Sequence, residues 1–182
     1  AYHAPPAAAP VVLYMGNLDA YQNLPLLGRA MERVRRSLPE AVLCVATAAP
    51  ITPAALHPLE PCEVAATPDL DALRQALKRG AVAACPRASW SGYPMKLLNA
   101  MAAGKAIVAC RSGAHPLENG RNGLVVDDND VEAFAESLVL LLRDGGLRQA
   151  LGQQARRDVE WSHHPMNYAQ RIEEAYQYAM HV

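Results

Sequence analysis

The sequence predicts a doubly wound α/β domain, Rossmann-like, with a six-stranded parallel sheet and helices on both faces. Short, almost wholly apolar segments alternate with longer segments whose apolar residues recur at helical spacing. The short segments lack the polar alternation of a strand with one solvated face, so we expect them to be buried on both sides, as in a parallel sheet. The length of 182 residues corresponds to about one domain.

Six segments have the length and composition of buried strands. The clearest is Val11–Met15, which is closed by Gly16. The others are residues 41–46, the weak segment 64–66, residues 81–85, Ala106–Cys110 and Leu124–Val126.

Residues 1–10 are rich in proline and alanine without periodicity, so they are expected to form a linker. Residues 11–182 are expected to form the domain.

Helices are predicted between these strands from capping residues and apolar spacing. Residues 24–38 follow Asn23 as the expected cap, with Pro25 in the first turn. Glycines end the next two helices, residues 69–78 before Gly80 and residues 94–103 before Gly104. Three more helices are expected: one capped by Asp130 and stopped by Gly145 and Gly146, one over residues 147–159 and one over residues 163–180.

Composition excludes several functional classes. The formal charge of −1 argues against binding nucleic acid or a membrane surface through a basic face. No apolar stretch is long enough to predict a transmembrane segment. The four cysteines contain no C-x-x-C pair and lie in or beside apolar runs, which favours buried small hydrophobes over a zinc or redox site. They are Cys44, Cys62, Cys85 and Cys110.

Three loops at the carboxyl ends of strands carry polar residues, and this edge is where doubly wound sheets bind ligands. The loop of residues 16–23 lacks the G-x-G-x-x-G dinucleotide fingerprint, and an ordinary connection is an equal alternative. The loop of residues 111–123 contains His115, which is more simply a solvated side chain than a ligand.

The third loop leads into the helix that contains Lys96 and gives the strongest signal. Gly92 and Tyr93 lie at the free amide end of that helix, which is suited to bind a pyrophosphate. The positive charge of Lys96 in the first helical turn is unfavourable beside the positive end of the helix dipole, unless an anion binds there. Asn99, one turn further, offers a donor and an acceptor to a ribose hydroxyl. A solvated lysine and a surface asparagine are the alternative.

Three stretches resemble the C-terminal, donor-binding half of the retaining family-four (group 1) glycosyltransferases, which have the GT-B fold. They are VVLYMGNLDAYQNLPLL, PRASWSGYPMKLLNAMAAGKAIVAC and NGRNGLVV. The resemblance aligns Ser91 and Asn99 with the two glutamates of the family's signature, the second of which holds the nucleotide ribose. Asn17 and Gln22, after Gly16, match the arginine and lysine that clamp the donor diphosphate. The segment that contacts phosphates and sugar is matched by Gly92, Tyr93, Pro94 and Met95.

The resemblance implies a metal-independent hexosyltransferase that uses a nucleotide diphosphate sugar as donor and no cofactor. The acceptor would be a saccharide or a lipid-linked sugar, as in bacterial polysaccharide biosynthesis, and Lys96 would stabilise the diphosphate. The partner would be an N-terminal GT-B domain absent from this chain, so the 182 residues alone would be inactive. The expected location is the cytoplasm, including the inner face of the membrane.

Two alternatives remain open at this stage. Loss of both glutamates and of the clamping arginine and lysine is also typical of a degenerate, non-catalytic interaction or scaffold domain. A sugar-nucleotide epimerase or a phosphorylase of the same overall fold would need a catalytic acid or a cofactor lysine that the sequence does not place.

Overall fold

The computed structural model describes residues 10–89 and 95–180, and its six strands form one parallel sheet in the order β3-β2-β1-β4-β5-β6. Their bounds are β1 Val11–Met15, β2 Val42–Thr47, β3 Glu63–Ala66, β4 Val82–Cys85, β5 Ala106–Cys110 and β6 Leu124–Val126. All five pairings are parallel. The predicted fold class is confirmed, whereas the linker expected over residues 1–10 lies, except for Pro10, outside the described residues.

Seven α-helices occur in the described part of the chain, on both faces of the sheet. Their bounds are α1 Leu24–Ser37, α2 Pro53–Leu56, α3 Leu70–Arg79, α4 Met95–Ala102, α5 Val131–Arg143, α6 Gly145–Ser162 and α7 Pro165–Met180. The single turn α2 was not predicted, because four residues are too few for an apolar period. Its signal is the cap Thr52, whose hydroxyl accepts the Ala55 N–H at 3.3 Å.

Two details of the predicted helices were wrong. Gly145 and Gly146 do not separate two helices but form the first turn of α6, because the Asp144 carboxylate accepts the Leu147 N–H at 2.8 Å and caps that turn. Asn23 does not cap α1 with its side chain: it has a left-handed backbone (φ 55°), and its amide donates to the Pro86 carbonyl at 3.2 Å.

The core consists of two layers, one on each face of the sheet. Successive residues of a strand point to opposite faces, so Val12 and Tyr14 belong to the layer under α1 and α5. Leu13 and Met15 belong to the other layer, under α3, α4 and α6. The alternation within β1 therefore puts Tyr14 on the face opposite to α4.

A close approach between α6 and the end of α4 fixes the position of α4. Gly104, with φ +66°, ends that helix and lies against Gly152 of α6. A Cβ atom at residue 152 would lie 2.1 Å from the Gly104 carbonyl oxygen, so only glycine permits this contact. The helix that contains Lys96 and Asn99 is thus held by backbone contact with α6.

Three of the four cysteines are buried, as predicted, and Cys62 is only partly buried because it precedes the edge strand β3. All four are free thiols. Burial raises the pKa of each thiol, and that of Cys110 reaches about 12. The buried thiols are therefore protonated and unreactive at neutral pH.

None of the helices within the two described ranges has both the length and the apolar composition needed to cross a bilayer.

Replacement of Gly152 by alanine should lower the free energy of unfolding by about 1–3 kcal/mol, because the added methyl group overlaps the Gly104 backbone. Gly146→Ala in the same helix is the matched control: its Cβ would meet only the Asp144 carboxylate at 3.4 Å. The control should raise stability by about 0.5–1 kcal/mol through helix propensity. Denaturant midpoints measure both, and equal midpoints for the two variants would contradict the close approach.

Thiol alkylation should modify Cys62 first in the native chain, because it alone among the four cysteines is partly exposed. Peptide mass spectrometry after iodoacetamide treatment at mildly alkaline pH measures the order of reaction. In denaturant all four thiols should react at similar rates. Native labelling of Cys110 as fast as Cys62 would show that the thiol burial is wrong.

Candidate functional site

A cavity of about 520 Å³ opens at the carboxyl edge of the sheet. The chain leaves β1 toward β2 and β3 on one side and continues through β4 to β6 on the other, so β1 and β4 flank the topological switch point. Ligands of doubly wound sheets bind at this point. The cavity is bounded by segments that follow the first three strands and by the first two turns of α4. Residues in its lining include Met15, Gly16, Asn17, Ala46, Thr47, Thr67, Asp69, Leu73, Lys96 and Asn99.

Lys96 lies in the first turn of α4 and is partly buried. Its ammonium lies 5.2 Å from the centroid of the Tyr14 ring and donates a hydrogen bond to the side-chain oxygen of Gln22. The ion pairs of the described residues include none with Lys96. Burial is the main cause that lowers the pKa of Lys96; Cys85 acts in the opposite direction, and the Arg87 charge lowers the pKa further. A desolvated cation without a carboxylate beside it is suited to receive an anion.

A chain of amide hydrogen bonds extends from Lys96 into the loop after β1. Gln22 is only 3% exposed, and its amide donates to the Asn17 side-chain oxygen at 2.6 Å. The Asn17 amide donates in turn to the Asp19 carboxylate and to the Tyr21 hydroxyl, the latter at 3.0 Å. The structure thus brings Asn17, Gln22 and Lys96 together in one hydrogen-bonded network.

The remaining predicted residues have different positions. Asn99 is exposed and lines the cavity one turn after Lys96. Gly16 has φ +135°, and a Cβ there would lie 3.4 Å from the Lys96 nitrogen. Met95, at the start of α4, is 60% exposed. Ser91, Gly92, Tyr93 and Pro94 lie outside the described residues, so their predicted contacts remain predictions.

The opposite wall of the cavity contains none of the predicted site residues. It consists largely of small apolar residues after β2 and β3, with Thr47 and Asp69 engaged in local structure. The Thr47 hydroxyl accepts the Ala49 N–H at 3.0 Å, and Asp69 caps α3 through the Ala72 N–H at 2.8 Å. Their position directly after strands was the available signal. An apolar wall of this kind suits a flat ring.

The loop of residues 111–123 lies apart from this cavity. Asn122 is 1% exposed; its side-chain oxygen accepts the Glu118 N–H at 2.7 Å and its amide donates to Asp158 of α6 at 2.7 Å. The loop is therefore fixed to α6, and His115 is exposed outside the cavity lining. Over residues 10–89 and 95–180, no cluster of three or more His, Cys, Asp or Glu side chains could hold a metal ion.

Two curated proteins are similar to parts of the chain. Trehalose phosphorylase of Grifola frondosa is 32% identical over 94 residues, which are 50% of this chain and 13% of that protein. The sulfoquinovosyl transferase SQD2 of Arabidopsis thaliana is 29% identical over 158 residues, which are 83% of this chain and 30% of that protein. The chain therefore spans less than a third of either relative.

Solved structures share the fold at low sequence identity. The C-terminal domain of the group 1 glycosyl transferase family protein LpcC from Francisella tularensis has a TM-score of 0.70 and 18% identity, over 84% of this chain and 85% of that chain. A glycosyltransferase from Rickettsia africae has a TM-score of 0.79 and 14% identity, over 96% and 49%. Anabaena HepE, solved with UDP and glucose, has a TM-score of 0.76 and 15% identity, over 93% and 48%.

The family model "Glycosyl transferases group 1" matches residues 9–144, and these include five of the seven helices and all six strands described above. The solved relatives that match nearly all of this chain extend to about twice its length. The resemblance drawn from the motifs is confirmed: the chain belongs to the group 1 glycosyltransferases and has the Rossmann-like fold of one half of a GT-B enzyme.

Proposed function

We propose that this chain is the donor-binding half of a retaining, metal-independent glycosyltransferase. It would bind a nucleoside diphosphate sugar, and the sugar would pass to a saccharide or lipid-linked acceptor held by a second, N-terminal domain. The observation that carries the proposal is the Lys96 ammonium at the edge of the cavity, which has no carboxylate partner among the described residues. Anabaena HepE, which shares this fold, was solved with UDP and glucose.

Lys96 would bind the diphosphate and stabilise the charge that develops on it as the sugar leaves. A fixed cation in a partly desolvated site is effective because it needs little reorganisation during the reaction. Gln22 and the Tyr14 ring keep the ammonium at the edge of the cavity. We propose that Asn17 and Gln22 serve the diphosphate through Lys96 and that Gly16 keeps the entrance beside it open.

The other two parts of a nucleotide fit the remaining surfaces. Asn99 would hydrogen-bond a ribose hydroxyl, since it lines the cavity one helical turn from Lys96. The base would pack against the small apolar residues that follow β2 and β3. This order puts the phosphates near β1 and the base near β3.

A second candidate function is a binding domain without transferase activity. The observation that favours it is the low charge of the cavity lining. Among the described residues of the wall, the charged side chains are one cation, Lys96, and one anion, Asp69. Amides occupy the places of an arginine, a lysine and a glutamate of the family pattern. Nucleotide binding separates the two functions, because a domain kept only for interaction has no need of it.

The test is calorimetric titration with UDP, GDP and ADP, and with the three parent nucleosides. Lys96→Gln should weaken the preferred diphosphate at least tenfold and leave the nucleoside unchanged, because the phosphates lose a charged hydrogen bond. Lys78→Gln is the control, since Lys78 is exposed near the end of α3 and outside the cavity lining. No binding of any diphosphate to the unmodified chain would overturn the donor-binding proposal.

The affinity for the diphosphate should fall as the pH is raised into the alkaline range, where phosphate groups, with a second pKa of about 6, no longer titrate. Burial lowers the pKa of Lys96, so its ammonium loses the proton earlier than an exposed lysine would. The positive form binds the anion, so the loss occurs on the alkaline side. The same titrations repeated on Lys96→Gln should show no such fall, and an identical pH profile for both chains would contradict the assignment.

A further inference from the structure

We propose that Tyr14 is the positioning residue of the donor site: its ring supports the Lys96 ammonium and its hydroxyl fixes the start of the loop after β1. The ligand in this inference rests on the proposed function. The role of Tyr14 in holding the lysine rests on the contacts of this chain alone.

Tyr14 makes two contacts, one through its aromatic ring and one through its hydroxyl. The ring centroid lies 5.2 Å from the Lys96 nitrogen, within the distance of a cation–π interaction. The hydroxyl donates to the Asn17 carbonyl oxygen at 2.5 Å. A Cβ at Gly16 would lie 3.4 Å from the lysine nitrogen and 3.5 Å from the tyrosine oxygen, so the loop passes closely beside both groups.

Tyr14 differs in chemistry from the rest of β1. The other four residues of β1 are valine, leucine or methionine, and Tyr14 is fully buried among apolar neighbours. An aliphatic side chain would fill such a site without bringing a hydroxyl that must be hydrogen-bonded. The hydroxyl is satisfied by one loop carbonyl, and burial raises the pKa of Tyr14, so it stays protonated and continues to donate.

The chemistry of the partners explains why this arrangement serves an anion site. An aromatic ring and an amide oxygen both attract an ammonium, yet neither carries a negative charge. Tyr14 and Gln22 therefore orient Lys96 and replace part of its hydration without neutralising it. A carboxylate in either place would hold the lysine as well and would repel the diphosphate.

Two variants separate the two contacts. Tyr14→Phe keeps the ring and removes the hydroxyl, whereas Tyr14→Leu removes both. Tyr176→Phe, on an exposed tyrosine of α7, is the matched control. Circular dichroism and thermal melting establish that each variant folds, and Tyr14→Phe keeps the core shape if the leucine variant fails to fold.

The first readout is the pKa of Lys96, followed through the Cε resonances of carbon-13-labelled lysine. The chain has three lysines, so Lys78→Gln and Lys96→Gln assign all three resonances. Tyr14→Leu should lower the pKa of Lys96 below its value in the unmodified chain, because the ring favours the charged form. Tyr14→Phe and the control should leave it unchanged.

The second readout compares nucleoside diphosphate with nucleoside, using UDP and GDP against uridine and guanosine. Tyr14→Phe should weaken the diphosphate about threefold to tenfold through the loosened loop, a factor typical of one hydrogen bond. Tyr14→Leu should weaken it further, and neither should change the nucleoside. Substitution of a purely structural residue is not expected to weaken diphosphate binding while leaving nucleoside binding unchanged.

Two results would overturn the positioning role. One is an unchanged pKa of Lys96 in a folded Tyr14→Leu chain; the other is equal weakening of diphosphate and nucleoside, which would assign Tyr14 to core packing. If the unmodified chain binds no nucleotide, the proposed function fails, and the pKa comparison still decides whether Tyr14 holds the lysine.

Discussion

Lys96 places a positive charge at the carboxyl edge of the sheet, and the groups around it offset its desolvation with neutral contacts. The amide of Gln22 and the ring of Tyr14 approach the ammonium from the β1 side. Its own helix, α4, lies on the other face of the sheet and is held from behind by the contact between Gly104 and Gly152. The candidate site therefore depends on both layers of the core at once.

The strand order turns this local arrangement into a cleft. Because β1 and β4 are neighbours whose connections depart in opposite directions, the loop after β1 and the helix after β4 face each other across the edge of the sheet. Lys96 and Gln22 are separated by 74 residues in the chain and are joined by a hydrogen bond. The apolar wall is added by the loops after β2 and β3, so the cavity has one polar side and one apolar side.

Apolar runs were sufficient to predict the strands, and glycines and capping residues were sufficient to predict most helix ends. Both signals act within a few residues of the chain. Residues 145–146 were misread since glycine weakens a helix, yet the Asp144 cap outweighs that cost. Asn17, Gln22 and Lys96 were each identified from motifs, but their contact depends on strand order. For Tyr14 the sequence predicts only a place in a buried strand, because an apolar run does not show which group a hydroxyl contacts.

The edge strand β3 has a consequence for solubility. A parallel sheet leaves an unpaired row of backbone groups at each outer strand, which can recruit another chain and start aggregation. Here the strand is only four residues long, and Glu63 at its start forms an ion pair with Arg79 of α3. A charged residue on so short an edge strand disfavours pairing with a strand of another chain. The outer strand β3 thereby protects the sheet on the side where its own carboxyl end leads into the cavity wall.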